Sequence, residues 1–182
     1  MSAVSATVWL GGVPTYRMST LKWVLFLFGF VTFAVGAPYI CHQFGLAGMV
    51  FLPMHFAIMV AAIVMGLRGG IAVALISPLV SYATSGMPPV TALMPMTIEL
   101  ATYALVINLA VRTFKVPMLI SLIIAMIVGR AVSIALISLI LQNTQLATQV
   151  HNLFVIALPG ILIQLAFVPL ISSKLMSFLE SK

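Results

Sequence analysis

Charged side chains are scarce in this chain, and acidic ones are the scarcest. Only two of the 182 residues are acidic, Glu99 and Glu180, against eight lysines and arginines, and 63% of the residues are hydrophobic. A soluble domain of this length has too small an interior to bury that much apolar surface. Since about 20 apolar residues span the ~30 Å hydrocarbon core of a bilayer, the sequence predicts a multi-pass membrane protein.

Residues that form disulfides, metal sites and common catalytic motifs are also few. The single cysteine, Cys41, excludes an intrachain disulfide, and three dispersed histidines do not make a zinc site. The chain has no phosphate-binding Walker loop, no HExxH pair and no GxSxG nucleophile motif. We therefore expect no metal, no cofactor and no enzymatic activity. The net charge of +6 is spread singly over the chain, which argues against nucleic acid as a partner.

Apolar runs divide the chain into six predicted membrane-spanning helices, so the expected fold class is all-α. Residues 1–182 form one predicted domain, with a short N-terminal segment, 1–20, before the first helix. The predicted spans cover about 21–40, 53–67, 70–84, 92–111, 117–141 and 151–172. The second and third are short and separated by Gly69-Gly70, and a broken hairpin that does not fully cross is the alternative. The first apolar run is too long for a typical cleaved signal peptide, so we expect it to be retained.

Apart from Arg130, lysines and arginines lie only in or next to alternate connections between the predicted spans and at the two chain ends. They precede span one, separate spans two and three, separate spans four and five, and follow span six: Arg17, Lys22, Arg68, Arg112, Lys115, Lys174 and Lys182. The other three connections contain none. By the positive-inside rule, this pattern predicts that both termini are cytoplasmic.

Two charged residues, Glu99 and Arg130, lie inside the fourth and fifth predicted spans. A charge at the bilayer centre costs roughly 2.5–3.5 kcal/mol on insertion scales, so such residues are usually paired or functional. With the predicted orientation, the two side chains can meet in the outer half of the bundle. One interpretation is a buried ion pair that fixes how the two helices dock. The other is a polar pocket that binds substrate, with Glu99 as a pocket residue and Arg130 as its counter-ion.

Four further polar residues are candidates for the same pocket. Tyr103 lies one helical turn from Glu99 and shares its face, where an aromatic ring beside an acid suits a heteroaromatic ligand. His55 begins the second predicted span, and His151 with Asn152 begins the sixth. For each of them, a structural role at the membrane interface or in helix packing is the alternative.

The middle of the chain resembles the substrate-binding S components of energy-coupling factor (ECF) vitamin transporters. The similar segments lie within about 51–103 and comprise Phe51–Met59, Gly66–Gly70, Ile76–Leu79, Ser85–Pro88 and Ile98–Tyr103. The six-span plan extends the likeness over the whole chain. The resemblance implies an uptake protein of a prokaryotic plasma membrane, which binds a small water-soluble vitamin or precursor without hydrolysing ATP itself.

The resemblance also implies partners and a substrate class. The partners are a transmembrane scaffold subunit and two cytoplasmic ATPases, and the implied substrate is hydroxymethylpyrimidine or pyridoxine, with pantothenate as the alternative. In the family, a ridge of small residues on the first span meets the scaffold. This chain differs there, since it offers Gly29, Thr32 and Gly36 as the corresponding docking residues.

Two other classes of protein remain open on the sequence. A stand-alone channel or secondary transporter would move solute across a liposome membrane as a single chain. The sequence shows no inverted repeat and only one intramembrane acid, which argues mildly against this class. A membrane assembly protein would show neither ligand binding nor flux.

Overall fold

The computed structural model describes residues 18–43, 52–141 and 155–180, and these residues form helices joined by short connections. The helices are α1 (Thr20–Gln43), α2 (Pro53–Val64), α3 (Gly66–Ser85), α4 (Val90–Asn108), α5 (Met118–Leu141) and α6 (Leu158–Glu180). A π-helical turn, Leu109–Thr113, continues α4. Five of the helices are long and apolar enough to cross a membrane, and α2 is the shorter apolar exception. The expectation of an all-α membrane protein is confirmed at this level.

Two helix boundaries differ from the sequence-based expectation. The break between the second and third helices lies at Met65-Gly66 rather than at Gly69-Gly70, because Gly66 adopts φ +76°, a conformation that residues with a Cβ avoid. Gly69 and Gly70 lie inside α3 instead. The last helix, Leu158–Glu180, ends beyond the predicted end near 172 and has Pro159 in its first turn, where the missing N–H is not needed; its predicted start near 151 lies outside the described residues.

The short helix α2 is the centre of the bundle. It packs against α1, α3, α4 and α6, and ten of its twelve residues are buried. At 1.5 Å per residue it is about 18 Å long, well short of the ~30 Å hydrocarbon core. Its ends are therefore expected to lie at membrane depth, where free backbone groups have no water to bind.

Polar side chains from α4 and α6 bind the backbone at both ends of α2. Asn108 Nδ2 donates to the Ala62 carbonyl at 3.1 Å, and Arg112 Nη2 donates to the Ile63 carbonyl at 3.0 Å. At the other end, Gln164 Nε2 donates to the carbonyl of Leu52 at 3.1 Å. The bonds to Ala62 and Ile63 satisfy carbonyls at the C-terminal end of the helix, where intrahelical partners run out. The Leu52 carbonyl also accepts from the Phe56 N–H, so the Gln164 bond adds a tie to α6 at the other end.

Small residues let α3 approach α2 and α4 closely. A Cβ added at Gly70 would lie 2.8 Å from Ala62 Cα and 3.0 Å from Ala104 Cβ, closer than side chains normally pack. Such contacts are typical of helix packing in lipid, where close backbone approach replaces the hydrophobic effect as the source of stability. They hold α4 in register with α2, which positions the polar residues described next.

Candidate functional site

A cluster of buried polar side chains lies where α2, α4 and α5 meet. Glu99 and Tyr103 come from the same face of α4, one turn apart, and are 3% and 0% exposed. The Tyr103 hydroxyl donates a 2.6 Å hydrogen bond to Glu99 Oε1. Both are buried along a mostly apolar helix, so the carboxylate depends on protein groups rather than water for its stabilisation.

His55, in the first turn of α2, is the second partner of the carboxylate. Its Nε2 lies 3.6 Å from Glu99 Oε1, within ion-pair distance when the ring is protonated. The imidazole also packs on Tyr103, with ring centroids 5.6 Å apart. The other ring nitrogen, Nδ1, is buried and has no hydrogen-bond partner among the described residues.

Arg130 brings the fifth helix into the cluster. It is 1% exposed and interacts electrostatically with both Glu99 and Tyr103. The preceding residue, Gly129, makes this possible, because a Cβ there would overlap the Tyr103 ring and lie 3.2 Å from the Glu99 carbonyl oxygen. The backbone of α5 therefore packs directly against α4 at the cluster. The next residue, Arg130, brings a positive charge near the Glu99 carboxylate.

A cavity of about 250 Å³ adjoins this cluster, between α5 and α6. Of the described residues that line it, Arg130 is the charged one, and the others are aliphatic or methionine side chains: Ile123, Met126, Ile127, Leu158, Ile161 and Leu165. Small-molecule sites are typically apolar cavities with a few convergent polar groups, and this cavity has one such group, Arg130. Glu99 is not among its lining residues.

The arrangement brings together four of the six residues proposed from the sequence: His55, Glu99, Tyr103 and Arg130. The expected meeting of Glu99 and Arg130 is present as an electrostatic contact. His151 and Asn152 lie outside the described residues. Of the three docking residues, Thr32 is exposed on α1, and a Cβ added at Gly29 or Gly36 would meet nothing within 4 Å.

Two residues important for the site were not singled out from the sequence. Gly129 allows the contact between α4 and α5, and Gln164 holds the end of α2 that carries His55. Both leave a signal in the sequence, since Gly129 directly precedes the buried arginine and Gln164 is a lone amide in an apolar helix. Interhelical hydrogen bonds from such amides are common in membrane proteins.

No protein-family model, curated protein or solved structure matches the chain. The chemistry of the site therefore rests on its own geometry. A carboxylate with a phenol and an imidazole on one oxygen can hold hydrogen-bond donors, and the guanidinium beside the cavity can hold an acceptor or an anion. The cluster therefore combines both kinds of group.

Proposed function

We propose that the chain is the substrate-binding subunit of an ATP-driven ECF-type uptake transporter in a prokaryotic plasma membrane. It has six membrane-spanning helices with both termini cytoplasmic, and it works with a transmembrane scaffold subunit and two cytoplasmic ATPases. Its substrate is a small water-soluble vitamin or precursor, hydroxymethylpyrimidine or pyridoxine, with pantothenate as the alternative.

The observation that carries the proposal is the convergence of three helices on the buried Glu99 carboxylate beside a small apolar cavity. Placing this many ionisable groups inside a bundle is costly, and such groups mark substrate or ion sites more often than packing. None of the described residues satisfies the buried Nδ1 of His55, which leaves a polar atom in the cluster for a ligand. A small N-heteroaromatic ring suits the apolar cavity walls, and a polar substituent can bind Arg130, through which the ligand is coupled to Glu99.

The position of Arg130 supports pantothenate as the alternative substrate. Arg130 lines the cavity, so a carboxylate or other acceptor of the substrate can reach the guanidinium directly. A substrate bound through Arg130 would share it with Glu99, which stabilises the guanidinium in the absence of ligand.

Isothermal titration calorimetry of the purified chain against a panel of vitamins, without ATP, tests the proposal. We expect tight binding of one member, and we expect Glu99→Gln to weaken it by about ten- to a hundredfold, as for a lost charged hydrogen bond. The control is Arg68→Gln, an exposed basic residue remote from the cluster, which should bind as the unmodified chain does. Absence of binding to every member, together with solute flux through the single chain in liposomes, would instead identify a channel or secondary transporter.

A further inference from the structure

A second cavity, a lipid-facing groove of about 440 Å³, lies between α1 and α6 with α2 as its floor. Its walls are entirely apolar and rich in phenylalanine: Leu25, Phe26, Gly29, Phe30 and Phe33 from α1, Phe56, Ala57 and Val60 from α2, and Ile171 and Leu175 from α6. It is separate from the polar cluster and from the cavity beside Arg130.

Gly29 leaves the wall of the groove open. A Cβ added there would meet nothing within 4 Å, so none of the described residues fills the space in front of the glycine. At one end of the groove, the rings of Phe33 and Phe56 pack together with centroids 6.2 Å apart. The groove extends from this aromatic pair towards the start of α1.

Basic residues flank the opposite end. Lys22 lies four, seven and eleven residues before Phe26, Gly29 and Phe33, so it continues the groove face of α1 by one more turn. On α6, Lys174 lies between the two lining residues Ile171 and Leu175, and both lysines are exposed. The sequence places no acidic residue on α1, or on α6 before Glu180, so the end of the groove is positively charged.

We propose that this groove binds an anionic phospholipid, with its phosphate between Lys22 and Lys174 and one acyl chain along the phenylalanines. The lining stretch of α1, from Leu25 to Phe33, is about 12 Å long, which is close to half of the ~30 Å hydrocarbon core. That length fits an acyl chain from one leaflet, whereas a partner helix would need a matching surface across the whole membrane. Basic pockets between helices at the cytoplasmic side are recognised lipid sites, and the positive-inside pattern predicts that side here.

Native mass spectrometry of the full chain, titrated with phosphatidylglycerol or with phosphatidylcholine of the same acyl chains, tests the proposal. We expect phosphatidylglycerol to bind more tightly. Lys22→Gln and Lys174→Gln should each weaken its binding about fivefold, as expected for one basic residue near a lipid headgroup. Lys115→Gln removes an equal charge from the connection between α4 and α5, away from the groove, and should have no effect. Equal binding of the two lipids, or lysine variants that bind phosphatidylglycerol normally, would overturn the proposal.

Gly29→Leu tests the acyl-chain part of the site, with Gly36→Leu as the matched control. Both glycines face open space on α1, but only Gly29 lines the groove. We expect Gly29→Leu to reduce binding of both lipids, while Gly36→Leu leaves it unchanged, and size-exclusion profiles should stay the same for both. If Gly29→Leu binds lipid normally but no longer copurifies with a partner subunit, the groove holds a protein helix and the lipid assignment is wrong.

Discussion

The Tyr103 hydroxyl donates a 2.6 Å hydrogen bond to Glu99 Oε1, one turn away on the same helix, and this oxygen is also the one that His55 approaches. Two neighbours from different helices thus share a single carboxylate oxygen. Arg130 adds its charge from a third helix. The carboxylate therefore links α2, α4 and α5, and perturbing it should affect both the bundle and its ligand.

The first prediction concerns the coupling between Glu99 and Arg130. Breaking a buried ion pair outright typically costs about 3–5 kcal/mol, and Glu99 keeps Tyr103 and His55 as partners when Arg130 is removed. We expect Arg130→Ala to lower the stability of the purified protein by less than that. Adding Glu99→Gln to that variant should restore part of the loss, because the carboxylate that has lost the arginine charge is then gone. Unfolding of the two single variants and the double variant in detergent measures the coupling.

The control for this cycle is Arg68→Ala, which removes an exposed arginine near the start of α3. It should leave the unfolding midpoint nearly unchanged, since exposed charges contribute little. Strictly additive losses for Glu99→Gln and Arg130→Ala would show that the two residues do not stabilise each other.

The second prediction concerns the contact between Gly129 and Tyr103. Gly129→Ala introduces a methyl group that overlaps the Tyr103 ring, and overpacking of this kind typically costs about 1–3 kcal/mol. We expect a lower unfolding midpoint and weaker ligand binding, because α5 and its arginine must move away from α4. In a Tyr103→Leu background, which lacks the ring, Gly129→Ala should lower the unfolding midpoint much less.

Gly36→Ala is the matched control for Gly129→Ala. Its added methyl group would meet nothing within 4 Å, and alanine is favoured over glycine in a helix by roughly 0.5–1 kcal/mol. We therefore expect an unchanged or slightly raised unfolding midpoint. Equal destabilisation by both variants would mean that the helix itself, rather than the ring contact, requires glycine.

The third prediction concerns the C-terminal end of α2. Asn108→Leu removes the donor to the Ala62 carbonyl and leaves this buried oxygen without that bond, at a cost of about 1–3 kcal/mol. We expect a lower unfolding midpoint and faster amide hydrogen exchange in the last turn of α2. Thr102→Val is the control, because that hydroxyl bonds only a carbonyl of its own helix, Ile98 O. Unchanged exchange in Asn108→Leu would show that Arg112 alone holds this helix end.

The fourth prediction concerns the sides of the membrane. In a Cys41→Ser background, cysteine is introduced at Met87, in the connection between α3 and α4, or at Phe114, after the π turn. Both positions are exposed. We expect a membrane-impermeant maleimide to label Met87→Cys on intact cells and Phe114→Cys only after permeabilisation. The reverse pattern would invert the proposed topology.

Much of the architecture follows from the sequence, and the reasons are local. Runs of apolar residues predict helices at membrane depth, and the observed α1, α4 and α5 agree with those runs to within a few residues. The shared face of Glu99 and Tyr103 follows from helical periodicity alone. The end of α6 lies beyond the predicted end near 172, because the helix continues past Lys174.

The contacts across helices are less accessible to sequence reasoning. The rarity of charge in this chain marks Glu99 and Arg130 as exceptional, and their helix positions predict that they can meet. Which of them lines a cavity depends on the spacing between α5 and α6, which no local pattern encodes. The same holds for the break at Gly66, because Gly69 and Gly70 are equally plausible turn residues until the packing of α3 on α2 is known.

The sequence by itself determined that this is a helical membrane protein with one buried acid and one buried arginine, since hydropathy and helical period act over single segments. Only the tertiary structure decided that His55 approaches the same Glu99 oxygen as Tyr103, and that the Tyr103 ring packs where a Cβ on Gly129 would lie. It alone also showed which polar side chains bond the ends of the short central helix: Asn108, Arg112 and Gln164. The physical reason is that these contacts join residues far apart in the chain. Helices lack a hydrophobic drive to associate in lipid, so their mutual placement depends on close packing and on such polar bonds.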